Sequence, residues 1–183
     1  MTEKISEIIL NLLGWRVVGQ IPKEKKYIII VAPHTSNWDF IIGRCFGYKL
    51  KVKAKFLGKN QLFRFPIGWL FKLMGGIAVN REKRNNMVAS IVETFNNSDE
   101  LILGLAPEGT RSRTDHWKQG FYHIANEANV PIMLSFLDYK AKEAGIGMVL
   151  YPSGDLQKDM LKIQTFYEGI TPKYPERYNP KIF

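Results

Sequence analysis

Two short polar stretches carry the residue types that acid–base and anion chemistry need. The first, Ala32-Pro33-His34-Thr35-Ser36-Asn37-Trp38-Asp39-Phe40, follows an apolar run directly. Thr35, Ser36 and Asn37 are all good helix-capping residues, so a helix starting here places Asp39 in its first turn and lets a turn bring the carboxylate back to His34. A carboxylate hydrogen-bonded to one imidazole nitrogen fixes the tautomer and stabilises the imidazolium. The other nitrogen is then free to take a proton from a hydroxyl. On this spacing alone, however, a capping Asp beside a surface His is the simpler reading.

The second stretch, Leu101 to Arg113, again runs from an apolar strand pattern into a polar turn, Pro107-Glu108-Gly109-Thr110-Arg111-Ser112-Arg113. Gly109 permits close backbone approach, Thr110 and Ser112 offer hydroxyls, and Arg111 and Arg113 supply forked donors suited to phosphate or carboxylate. An anion site is the natural inference, against a solvated loop in which the arginines pair with Glu108 and Asp115. Other chemistries lack their residues. There is no Gly-x-Ser-x-Gly, no Gly-Lys-Ser/Thr phosphate loop, and Gly145-Ile146-Gly147 lacks the third glycine of a dinucleotide fingerprint. His116 and His123 are not spaced with Cys or acids as ligands, so no metal is assigned.

Both stretches need a scaffold that ends strands near one another. Tyr27 to Ala32 is wholly apolar, as a buried central strand is, and similar runs occur at 54–57, 76–79, 101–106, 131–137, 147–151 and 162–166. Helical patterns lie between them at 38–48, 60–74, 85–95, 120–128 and 156–161. This alternation implies an α/β fold: a mostly parallel or mixed central sheet flanked by helices on both faces. An amphipathic helix over 2–15, with Ile5, Ile8, Ile9, Leu12 and Leu13 on one stripe, precedes it and reads equally as packed on the domain or lying at a membrane interface. In such sheets, polar residues just past a strand's C-terminal end build the site. The two polar stretches fit that position.

The chain has 183 residues, 45% of them apolar, with eleven Phe, eight Tyr, four Trp and a single cysteine. One domain spanning 1–183 is expected, with a core large enough to need no disulfide. Cys45 reads as a buried filler of the helix at 38–48. The formal charge of +9 is regional: residues 1–90 hold 16 Lys or Arg against 5 Asp or Glu, a net of +11, and residues 91–183 are close to neutral. Between Arg44 and Arg84 the only acid is Glu82. Such a field suits nucleic acid, anionic lipid or an acidic carrier protein. No run reaches the roughly 18 apolar residues of a spanning helix, and no secretory pattern opens the chain, so a cytoplasmic location is expected.

Taken together and in order, these stretches resemble the 1-acylglycerol-3-phosphate and related glycerophospholipid acyltransferases. His34 and Asp39 match that family's His-x4-Asp block, and Pro107 to Ser112 match its Pro-Glu-Gly-Thr-Arg-Ser block residue for residue. Gly76 to Arg81 matches a turn ending in Arg, preceded by Lys59, Pro66 and Gly68. Lys118 and Gly120 match a helix entry, and Val130-Pro131-Ile132 a strand start. The likeness covers residues 27–140. Pro33 and Ala106 stand where Asn and Phe are common in the family, which bears on the acceptor more than on the reaction.

The resemblance implies that His34 is the general base on an acceptor hydroxyl and that Asp39 orients it. It also implies that Arg81, Glu108, Gly109, Thr110 and Arg111 form the acceptor headgroup site, with Glu108 binding a hydroxyl or positioning Arg111. The donor would be an acyl-CoA or acyl carrier protein thioester, with no further cofactor, and the acceptor a lysophospholipid, 1-acylglycerol-3-phosphate foremost. The same machinery on an amino-acid lipid or an aryl polyene is the alternative. A basic nucleic-acid-binding module is an outsider, because the aromatics cluster with aliphatics rather than interleaving with the basic residues on an exposed sheet. Residues 62–74, crowded with Leu, Phe and Trp and flanked by Lys59, Arg64 and Lys72, read either as core or as a peripheral contact with an anionic membrane surface on its cytoplasmic face.

Overall fold

The computed structural model describes residues 3–79 and 87–183. Its helices are α1 (Glu3–Leu12), α2 (Asn37–Lys49), α3 (Gly68–Leu73), α4 (Met87–Asn96), α5 (Gly120–Glu127) and α6 (Leu156–Tyr167). Its strands are β1 (Arg16–Val18), β2 (Lys26–Ala32), β3 (Lys55–Lys59), β4 (Gly76–Val79), β5 (Leu101–Leu105), β6 (Ile132–Asp138) and β7 (Glu143–Leu150). All seven strands form one sheet, in the order β1-β7-β6-β2-β5-β3-β4. Among the described strands the β6–β7 pair is antiparallel and the other pairs are parallel.

The apolar run of β2 is explained by burial on both faces. Tyr27 and Ile29 point to a cluster with Leu10 of α1 and with Ile42, Cys45 and Phe46 of α2. Ile28, Ile30 and Ala32 point to the other face, against Phe121, Ile124 and Ala125 of α5 and Met160, Ile163 and Tyr167 of α6. Burying one such isoleucine contributes roughly 1.5–3 kcal/mol. Cys45 is buried, as expected of a filler.

Several expectations change. The run 162–166 is not a strand but the second half of α6. Asp155 caps that helix by accepting the Lys158 N–H, and Met160, Ile163 and Tyr167, at helical spacing, are all fully buried. The single helix expected over 60–74 is broken into a 3-10 turn, Asn60–Phe63, and the short α3, with Pro66 between them. Gly68 is required at that break, since a Cβ there would sit 2.0 Å from the Phe63 carbonyl oxygen. β7 begins at Glu143, earlier than expected, as the return strand of a hairpin with β6. β1 has three residues, too few for a periodicity to show.

α1 ends near Gly14, whose φ is +71°. It packs on α2 through Ser6 and Leu10, helped by ion pairs from Lys49 to Glu7 and from Lys51 to Glu3, both 3.1 Å. Of the apolar stripe, which the sequence left open between packing on the domain and a membrane interface, Ile5, Ile8, Leu12 and Leu13 are exposed.

Candidate active site

Register explains how distant residues meet. β2 lies between β5 and β6 and runs parallel to both, with Ile30 opposite Leu105 and Ala32 opposite Phe136. The loops leaving the C-terminal ends of all three strands therefore open on one edge of the sheet. Those loops begin at Pro33, Ala106 and Tyr139.

In the first loop, Ser36 is the N-cap of α2, and its hydroxyl accepts the Trp38 N–H. Asp39, three residues on, completes a capping box: its Oδ2 accepts the backbone N–H groups of Thr35 and Ser36, both at 2.8 Å. The same oxygen lies 3.2 Å from His34 Nδ1. Asp39 is thus both cap and imidazole partner, so the two readings of the spacing coexist. Tyr139 completes the shell by donating its hydroxyl to Asp39 Oδ1 at 2.6 Å. Burial alone would raise the Asp39 pKa, but the bonds from His34, Tyr139 and Ser36 outweigh it and hold the carboxyl below the usual range. With Nδ1 engaged by a buried anion, the His34 ring, itself partly exposed, keeps Nε2 for proton transfer.

Glu108 joins the second loop to the first. Its carboxylate accepts the backbone N–H of His34 at 2.8 Å, across 74 residues of chain. This differs from the expected contact with a hydroxyl or with Arg111. Burial pushes Glu108 up to about 8, opposed by the His34 N–H and reinforced by the charge of Asp39. A carboxyl that is largely neutral at pH 7 holds the loop with little charge of its own. Gly109 has φ +69°, a backbone that an L side chain adopts only under strain, and its N–H bonds the Ala106 carbonyl. Thr110 is exposed and its Oγ1 accepts the Ser112 N–H, tightening the turn.

Arg111 is exposed and has no ion pair or hydrogen bond among the described residues. It does not pair with Glu108 or Asp115, and Arg113 is occupied with the Tyr178 carbonyl at 2.9 Å. Arg111 lines a cleft of about 470 Å³ whose walls include Thr35, Ser36, Trp38, Tyr174 and Arg177. Arg81 lies outside the described residues. Among the described residues no group of three His, Cys, Asp or Glu is placed to hold a metal ion.

Sequence reasoning missed Tyr139, Trp38, Tyr174 and Arg177. Tyr139 stands directly after β6 and falls under the strand-end rule that picked out the other two loops. Tyr174 and Arg177 carried no comparable signal, for they follow α6 in an irregular segment. Its backbone is pinned to the first loop by Tyr174 N–H to Thr35 Oγ1 at 3.2 Å.

A family model described as Acyltransferase matches residues 15–133. The chain is 31% identical over 132 residues to a 1-acyl-sn-glycerol-3-phosphate acyltransferase of Haemophilus influenzae, covering 67% of this chain and 53% of that protein. It is 30% identical over 135 residues to the protein of the same name from Streptococcus pneumoniae, covering 68% and 50%. The chain therefore spans about half the length of the curated relatives it matches. Its fold is similar to the crystal structure of the 1-acyl-sn-glycerophosphate acyltransferase PlsC from Thermotoga maritima, with a TM-score of 0.62 over 90% of this chain and 74% of that one, at 19% identity. With the family model covering the sheet from β1 into β6, both polar loops included, the chain belongs to the acyltransferase family.

Proposed function

We propose that the protein is an O-acyltransferase that moves a fatty acyl group from an acyl thioester to a hydroxyl of a lysophospholipid, 1-acylglycerol-3-phosphate foremost. The observation that carries this reading is the contact between His34 Nδ1 and a buried Asp39, held beside the Glu108–Arg111 turn by the His34 N–H. His34 Nε2 takes the proton of the acceptor hydroxyl as its oxygen forms a bond to the thioester carbon. Asp39 stabilises the imidazolium while charge builds on the carbonyl oxygen. When the carbon–sulfur bond breaks, the imidazolium returns its proton to the thiolate, giving an ester and a free thiol. The sequence needs neither a covalent acyl-enzyme nor a metal. Arg111, with Arg81 from the neighbouring block, takes the acceptor phosphate, and the donor is acyl-CoA or acyl carrier protein.

A peripheral stance on the cytoplasmic face of an anionic membrane fits this chemistry, since the acceptor and product are lipids. Residues 62–74 divide between the two readings open to them. Phe63 and Phe71 pack edge to face, 6.2 Å apart, whereas Phe65, Ile67, Trp69, Leu70 and Leu73 are exposed, Phe65 almost wholly, at 96%. Exposed aromatics beside Arg64 and Lys72 suit a lipid interface, where each basic residue contributes about 1 kcal/mol. The exposed stripe of α1 offers a second apolar contact. No described helix is long and apolar enough to cross a membrane.

The test is incubation of purified protein with labelled acyl thioesters and a panel of lysolipids, read by mass spectrometry, for wild type and His34→Ala. The variant should fold normally and lose at least about 10²-fold in turnover. Wild-type turnover in His34→Ala would end the mechanism.

A further inference from the structure

Arg177 belongs to the segment after α6, yet it lines the same cleft as Arg111. Three contacts put it there. Its Nη1 donates to the Thr35 carbonyl at 3.4 Å, its guanidinium lies 4.5 Å from the centroid of the Tyr174 ring, and the Tyr174 N–H holds Thr35 Oγ1. Thr35 follows His34 directly, so this short turn, Pro175–Arg177, is fastened to the candidate base.

The charge around the cleft is out of balance. Lys173 sits with its Nζ 5.1 Å over the Trp38 ring, and Arg111 has no partner among the described residues. Arg177 has one acidic neighbour, Glu176 at 3.7 Å, and both side chains are largely in solvent, where such a pair is worth little. Asp39 is committed to four donors and Glu108 to the His34 amide. Two forked cations thus line one open cleft, Lys173 lies against the Trp38 ring of its wall, and none of the described residues lining the cleft is acidic. Paired guanidinium forks favour a doubly charged tetrahedral oxyanion over a carboxylate or a neutral polar group.

We propose that Arg177 acts with Arg111 to bind a phosphate monoester in this cleft, the C-terminal turn supplying the second half of a site whose first half lies in the Glu108–Arg111 loop. The proposal deepens, and rests on, the acyl-transfer reading. The phosphate can come from the acceptor's glycerol phosphate or from the 3′-phosphate of a coenzyme A donor.

Direct binding separates these sources without requiring turnover. Calorimetric titration of wild type and Arg177→Gln with glycerol 3-phosphate and with adenosine 3′,5′-bisphosphate should show a ten- to hundredfold loss of affinity in the variant for one of the two probes, the loss expected of a missing charged hydrogen bond. Loss for glycerol 3-phosphate assigns the acceptor and loss for the bisphosphate assigns the donor. Arg177→Lys should recover part of the binding. In steady-state assays the variant should raise KM for the phosphate-bearing substrate by a larger factor than it lowers kcat, and by a larger factor than it raises the KM of an unphosphorylated monoacylglycerol. Equal affinity of wild type and variant for both probes, or a kcat that falls alike for phosphorylated and unphosphorylated acceptors, would overturn the proposal in favour of a purely structural clamp on Thr35. Arg177-dependent binding in a protein without acyl transfer would instead leave this site standing and remove the proposed reaction.

Discussion

Replacing Glu108 by Gln tests the electrostatics that join the two loops. In the fold this carboxyl is 5% exposed, lies within reach of the Asp39 charge and titrates near 8, against a value of 4.5 for the unhindered group. Between those two pH values the folded state holds a proton that the unfolded chain has released. Stability from this group is therefore highest below pH 4.5, declines as pH rises toward 8, and is level beyond it. Each pH unit in the window is worth roughly 1.4 kcal/mol, so ionising Glu108 in place costs the wild type on the order of 4–5 kcal/mol by pH 8.5.

Gln keeps an oxygen for the His34 N–H and has no proton to lose. Its own effect on packing enters as a constant offset, so the informative quantity is the Tm of Glu108→Gln minus that of wild type, measured by circular dichroism from pH 5 to pH 9. That difference should widen with pH by roughly 10 °C, taking about 2–4 °C per kcal/mol for a chain of this size. A difference that stays flat across the range refutes the neutral, buried carboxyl, and with it the account of why an acid can sit beside the proposed phosphate site.

Two further changes probe the neighbourhood. Tyr139→Phe removes a 2.6 Å bond to the buried Asp39 and should lower stability in urea by about 1.5–3 kcal/mol, the scale for hydrogen bonds to charged groups; an unchanged midpoint contradicts the idea that this phenol anchors the carboxylate. The double variant Phe65→Ser, Trp69→Ser acts on exposed side chains, so its Tm should match wild type while flotation with anionic vesicles weakens clearly. Undiminished flotation would move the membrane contact elsewhere.

How far these features could be read in advance depended on whether a signal was local. β2 and β5 announced themselves as apolar runs too short for helices, and the Ser36 cap with Asp39 three residues on is a local grammar of helix starts. α6 was misread at its C-terminal half because Ile163, Thr165 and Phe166, all β-favouring side chains, crowd a five-residue window. Only the longer register Met160, Ile163, Tyr167, together with the Asp155 cap, shows the helical face. The 60–74 segment failed for a different reason, since apolar density there exceeds what one helix face can bury and Pro66 divides it. The partners of Asp39 and Thr35 were beyond reach, as nothing local links Tyr139 to a residue 100 positions earlier or Tyr174 to one 139 away.

The sheet converts those sequence distances into contacts, and the parallel sense of the central strands is what makes it work. Had β5 or β6 run antiparallel to β2, its following loop would open at the far edge, some seven residues of strand away, or about 23 Å at 3.3 Å per residue. Parallel pairing instead delivers the imidazole, its two acidic neighbours and the Tyr139 phenol to one rim. Asp39 then has two tasks with one geometry, capping α2 and holding His34. The cap restrains the carboxylate through two backbone bonds before the ring arrives, so orienting the base costs little additional order. On the proposed mechanism, a cap that also holds the base explains how a motif as short as His-x4-Asp can be sufficient: the helix start, with the Tyr139 phenol, supplies the rigidity.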